Sequence, residues 1–180
     1  METTELYQTA YKFYPKGLSP FSVEFDHSPE YALLQGEIVE QRRELQSKWT
    51  GLLTSLEEIF KIEATDNTAM IAECPSLYGS LYLSKDGYLG KLHIWISLII
   101  PYHIIELVTY KQGEMNSAEI GSLVQEKISE AGKEVVRRFG TMPFPEELQQ
   151  QTVPDLQLQH SKDGKASFRE LFFTDYVANF

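Results

Sequence analysis

Two apolar segments flank a Lys85-Asp86-Gly87 turn, and the second of them alternates. Leu92, Ile94, Ile96 and Leu98 fall on one side, and Lys91, His93, Trp95 and Ser97 on the other. A period of two belongs to a strand, whose successive side chains point to opposite faces. Asp-Gly tolerates the positive φ angles of a tight hairpin turn. Residues 77–84 and 89–98 are therefore expected to pair as a hairpin. Pro101 lacks an N–H and breaks the run, and residues 103–111 return as a further strand. Residues 69–73 are also strand-like. Contiguous strands joined by short turns favour an antiparallel sheet, because parallel neighbours need long crossovers.

Helical periodicity dominates elsewhere. In residues 3–14, Leu6, Ala10 and Phe13 share a stripe, and Pro15 ends it. Ser28-Pro29-Glu30 is a helix start: the hydroxyl caps, proline suits the first position, and glutamate suits the positive end of the dipole. Behind it Tyr31, Ile38, Leu45, Leu52 and Ile59 recur every seven residues, with Trp49, Leu53, Leu56 and Phe60 widening the stripe. The spacing predicts a long amphipathic helix with a break near Thr50-Gly51. Asn116 and Glu119 form a capping box before a stripe of Ile120, Leu123, Val124, Ile128, Ala131, Val135 and Phe139, which Gly140 stops. Phe21, Val23 and Phe25 alternate with polar residues, as in a short edge strand or an extended loop. The polar connector around Pro143, Pro145 and Pro154 leads to a last hairpin, residues 155–159 and 167–174, turning at Lys162-Asp163-Gly164. The expectation is one α+β domain over residues 1–180. It has an antiparallel sheet of about five or six strands, with amphipathic helices packed mainly on one face.

With 42% hydrophobic and 12% aromatic residues, 180 residues suffice for a core without a disulfide or metal staple. Cys74 is the only cysteine, so no intrachain disulfide forms, and beside Ala72 and Pro75 it reads as a small core residue. Residues 1–5 are acidic and polar, unlike a secretory leader. The apolar run of residues 94–100 is far short of the ~20 residues of a spanning helix. A cytoplasmic location follows as the default.

Charge carries the next constraint. There are 26 acidic and 16 basic side chains, a net charge of −10. Residues 1–90 hold 14 of the acids and 7 of the bases. Such a surface repels nucleic acid and anionic membranes and attracts basic partners.

Catalytic motifs are missing from the sequence: no nucleophile elbow, no phosphate-binding Gly-Lys loop, no H-E-x-x-H and no Cys-x-x-Cys. None of the four histidines pairs at helical ligand spacing. No cofactor or metal is expected. The lead expectation is a non-enzymatic acidic binding protein that meets a basic protein, an immunity protein neutralising a toxin domain being one version. Glu37, Glu40 and Glu44, with Glu57 and Glu58, are the contact candidates on the polar side of the long helix. The alternative is a small-molecule site or enzyme pocket on a sheet face near His93, Trp95, His103 and Glu106, where a carboxylate on an apolar face is suited to acid–base work. Glu106 has Lys91 as a second cross-strand option. A homodimer through the long helix is a third expectation. The aromatic N-terminal segment, Tyr7, Tyr11, Phe13, Tyr14 and Phe21, either caps the core or forms an interface.

Overall fold

The computed structural model describes residues 1–68, 74–85, 88–110, 117–159, 161 and 164–174. Helix α1 (Thr3–Phe13) buries Leu6, Ala10 and Phe13, as its stripe requires. A short helix α2 (Val23–Asp26) follows where an edge strand or extended loop was expected. The Ser22 hydroxyl accepts the Phe25 N–H at 3.2 Å, and this cap turns the chain helical. Phe25 goes into the core while Phe21 and Val23 stay outside.

Helix α3 (Pro29–Phe60) starts at the Ser28 cap and runs unbroken for 32 residues. Its buried positions are Leu34, Ile38, Trp49, Leu52, Leu56 and Phe60. The expected break at Gly51 does not occur. A Cβ at Gly51 would lie 2.5 Å from an Arg138 guanidinium nitrogen, so the glycine makes room for a neighbouring helix. That neighbour is α4 (Ser117–Phe139). Arg138 donates to the Ser55 hydroxyl, whereas Lys127 lies over the Phe60 ring, so the two helices run in opposite directions. Gly140, at φ 68°, ends α4 as expected. Asn116 lies outside the described residues.

Among the described residues, β1 (Ala64–Asp66), β2 (Ser76–Lys85), β3 (Tyr88–Ser97), β4 (Tyr102–Tyr110) and β5 (Met142–Pro143) form one sheet in chain order. The first four are antiparallel neighbours. The fifth runs parallel to β4, pairing Tyr102 with Met142 and His103 with Pro143. The sheet is therefore mixed, which corrects the expectation of a purely antiparallel one. The physical reason is α4, which carries the chain back across the sheet so that β5 enters in the direction of β4. The expected hairpin of β2 and β3 forms, with Lys85 paired to Tyr88. Its turn residues 86–87 lie outside the described residues, as does the strand expected at 69–73.

Paired residues share a face. One face carries Leu77, Gly79 and Leu81 beside Ile96, Ile94 and Leu92, then His103, Ile105 and Leu107. It packs on α3 and α4: the Gly79 backbone approaches Trp49 and Leu53, and Gly132 of α4 sits over Ile105.

The last expected hairpin does not form: residues 155–159 are not a strand, and an isolated bridge pairs Thr152 with Ser167 instead. Residues 151–156 and 166–168 do exchange main-chain hydrogen bonds, Val153 N–H to Ala166 O and Ala166 N–H to Leu156 O among them. Beyond Ser167 the chain becomes helix α6 (Phe168–Phe172), preceded by a short α5 (Glu146–Gln149). Ser167 and Glu170 form a reciprocal capping box, and that cap overrides the strand reading. Residues 162–163 of the expected turn lie outside the described residues. Tyr14 donates to Leu171 O at 2.6 Å and ties α1 to α6. Among the described residues, no helix is long and apolar enough to cross a membrane.

Candidate functional site

The acidic candidates on α3 divide into three situations. Glu37, Glu40 and Glu44 share a stripe with Glu30 and Leu33, at successive steps of three and four residues. The stripe runs about 21 Å along the helix. Glu40 and Glu44 are exposed, Leu33 is 44% exposed, and Glu37 is half-buried, accepting from the Gln41 amide at 3.0 Å. Glu58 is exposed on the same side. However, Arg138, docked over Gly51 and Ser55, intervenes between it and Glu44. Glu57 is elsewhere: its carboxylate accepts the Ala64 N–H at 3.1 Å and closes the connection from α3 to β1.

The sheet-face candidates divide as well. His93 is the direct cross-strand partner of Glu106, and Trp95 follows on the same face. His103 points to the opposite face. There it is buried under the helices, its Nδ1 3.0 Å from the Thr141 hydroxyl. The four residues are thus three plus one.

On the polar face, Tyr78, His93 and Trp95 stand nearly parallel, with ring centroids 5.1–5.8 Å apart. The Tyr78 hydroxyl is 2.7 Å from His93 Nδ1. Arg169 of α6 lies over the Trp95 ring and pairs with Glu106 while also donating to Gln149. Glu106 therefore has Arg169, not Lys91, as its ion partner. Lys91 lies opposite Val108 and over the Tyr82 ring.

Burial holds the His93 imidazole down at about 4, with Lys91 adding to the effect and Glu106 opposing it. Burial alone puts His103 at about 4 as well. Both rings are neutral near pH 7. A neutral imidazole hydrogen-bonded to a phenol stands beside a carboxylate held by a guanidinium, two polar pairs on one face. Each pair satisfies groups that would otherwise be costly to bury. Among the described residues, no group of three His, Cys, Asp or Glu side chains gathers as a metal site. Cys74 is buried, its thiol donating to Phe173 O beside the Ser76 hydroxyl.

Sequence reasoning missed Arg169 and Tyr78. Tyr78 carries the period-two signal of its strand. Arg169 carries none, because it reaches Glu106 from 63 positions away. Comparison of the chain with protein-family models, with curated proteins and with solved structures finds no match.

Proposed function

We propose that this chain is a binding protein that captures a basic protein, and that the α3 stripe of Glu30, Glu37, Glu40 and Glu44 is the principal contact. The observation that carries this reading is the stripe itself: four carboxylates on one helix face around an exposed leucine, on a chain of net charge −10. Such a field steers a cationic partner and rejects anionic ones. The immunity protein that neutralises a basic toxin domain is the concrete version of this class. The small-molecule reading has weaker support, because Glu106, His93 and Trp95 are already engaged by Arg169 and Tyr78.

Affinity capture at low ionic strength tests the proposal. The immobilised chain is expected to retain basic proteins that raised salt releases. The E37K/E40K/E44K variant is expected to retain much less of the same proteins. Unchanged retention removes the proposed surface. For the immunity version, the measurement is growth during co-expression with a toxin-like reading frame adjacent to the gene. The native chain restores growth and the triple variant does not.

A further inference from the structure

The N-terminal aromatics separate cleanly in the fold. Phe13 and Tyr14 are buried and Tyr7 and Tyr11 pack against the core, but Phe21 is 76% exposed and Val23 67%. Their segment is pinned rather than loose. Gly17 N–H donates to Asp155 O at 2.8 Å, Ser22 caps Phe25, and the Phe25 ring sits 5.0 Å from that of Tyr31. A phenylalanine held outward by a fixed segment costs solvation and contributes nothing to the core.

The same segment contributes Glu24 and His27 to an open groove of about 720 Å³, lined also by Tyr11, Lys16, Leu18 and Glu30 among others; Phe21 and Val23 are not part of its lining. Lys16 is turned onto the Tyr11 ring at 3.5 Å, and His27 Nδ1 is 2.8 Å from Val23 O. The carboxylates of Glu24 and Glu30 give the groove its negative side. Glu30 is also the first member of the α3 stripe, so groove and stripe are continuous.

We propose that the exposed Phe21 and Val23, next in the chain to the groove residue Glu24, are the apolar anchor of the interface. They would receive a large apolar side chain that the basic partner carries next to a lysine or arginine. This rests on the basic-partner reading. Charge complementarity selects the occupant: an apolar contact rimmed by carboxylates favours an apolar residue flanked by cations. The division of labour follows from general energetics. Exposed charges set encounter rate and specificity, whereas a desolvated apolar contact near the centre carries most of the affinity.

Two lysine-rich peptides of equal charge separate the parts, one with serine at its neutral positions and the other with tryptophan and leucine. Binding is read by fluorescence anisotropy at low ionic strength. The native chain is expected to bind the apolar-bearing peptide about tenfold more tightly. F21S/V23S is expected to lose that preference and bind both peptides alike. E40K/E44K is expected to weaken both. Equal affinity of the native chain for the two peptides, or a preference that survives F21S/V23S, overturns the anchor and leaves the basic-partner reading standing. Binding of both peptides unchanged in E40K/E44K, or no binding of either by the native chain, overturns that reading and the anchor with it. All four substituted side chains are exposed, and an unchanged melting transition verifies that the variants are folded.

Discussion

Glu57 and Glu58 are neighbours of identical chemistry in the same helix, and their surroundings separate them. Glu57 is half-buried and accepts the Ala64 N–H, fixing how the chain leaves α3 for β1. Glu58 points into solvent. Removing the acceptor leaves a main-chain donor with only partial access to water. E57A is therefore expected to lower stability by about 1–2 kcal/mol, and E58A to change it by less than about 0.5 kcal/mol. Urea denaturation of the two variants checks this. Equal effects would show that the bond to Ala64 contributes nothing. Single residues are where the sequence was least legible. Alternation correctly separated His93 and Trp95 from Leu92 and Ile94. It also contained the information that His103 lies across the sheet from Glu106, since odd and even positions of one strand face opposite ways. Grouping the two by chemistry overrode that parity. Arg169 was invisible for a different reason, because a contact made between distant segments leaves no local period.

At the scale of elements, the strong periods were legible and the short elements were not. The seven-residue repeat from Tyr31 to Ile59 marked α3, and the Lys85-Asp86-Gly87 signal marked the β2–β3 hairpin. Capping chemistry decided α2 and α6, where the Ser22 and Ser167 caps outweighed the strand readings of residues 21–25 and 167–174. The two residues of β5 include a proline, and only the return of the chain along α4 places them beside β4. Gly51 shows how one letter supports opposite readings. A glycine weakens a helix by about 1 kcal/mol, yet here it admits Arg138 and the helix continues. Gly79 is the corresponding feature of the sheet. A Cβ there would sit 3.0 Å from both the Trp49 ring and Leu53, two side chains of the helix that covers the sheet. Trp49 is fully buried and has nowhere to retreat. G79A is expected to cost about 1–3 kcal/mol through overpacking. Its effect should exceed that of G36A, where a Cβ meets nothing within 4 Å. Thermal melts of the pair read the difference, and a neutral G79A would mean that α3 slides on the sheet without penalty.

For the molecule as a whole, buried imidazoles and surface carboxylates set the response to acid in separate windows. His93 and His103 sit near 4 in the folded chain, below the ordinary value of 6.5. As pH falls below 6.5 the unfolded chain binds protons at both positions while the folded chain does not. Stability is therefore complete above that value and declines steadily toward pH 4, by about 1.4 kcal/mol per unit for each histidine. Glu134 acts lower down. Its hydrogen bonds from Arg137, and then from Arg138, hold its carboxyl at about 2, so its contribution is present above 4.5 and lost as pH falls toward 2. Between pH 6.5 and 4.5 the histidines alone govern the slope among these shifted groups. H103N removes one of them while retaining an amide that can meet the Thr141 hydroxyl. Denaturant midpoints measured across this interval are expected to fall with acid in the native chain, and about half as steeply in H103N. A native chain equally stable at pH 6.5 and 4.5 would mean that both rings protonate in place, and that the faces of the sheet admit water and charge more readily than their burial implies.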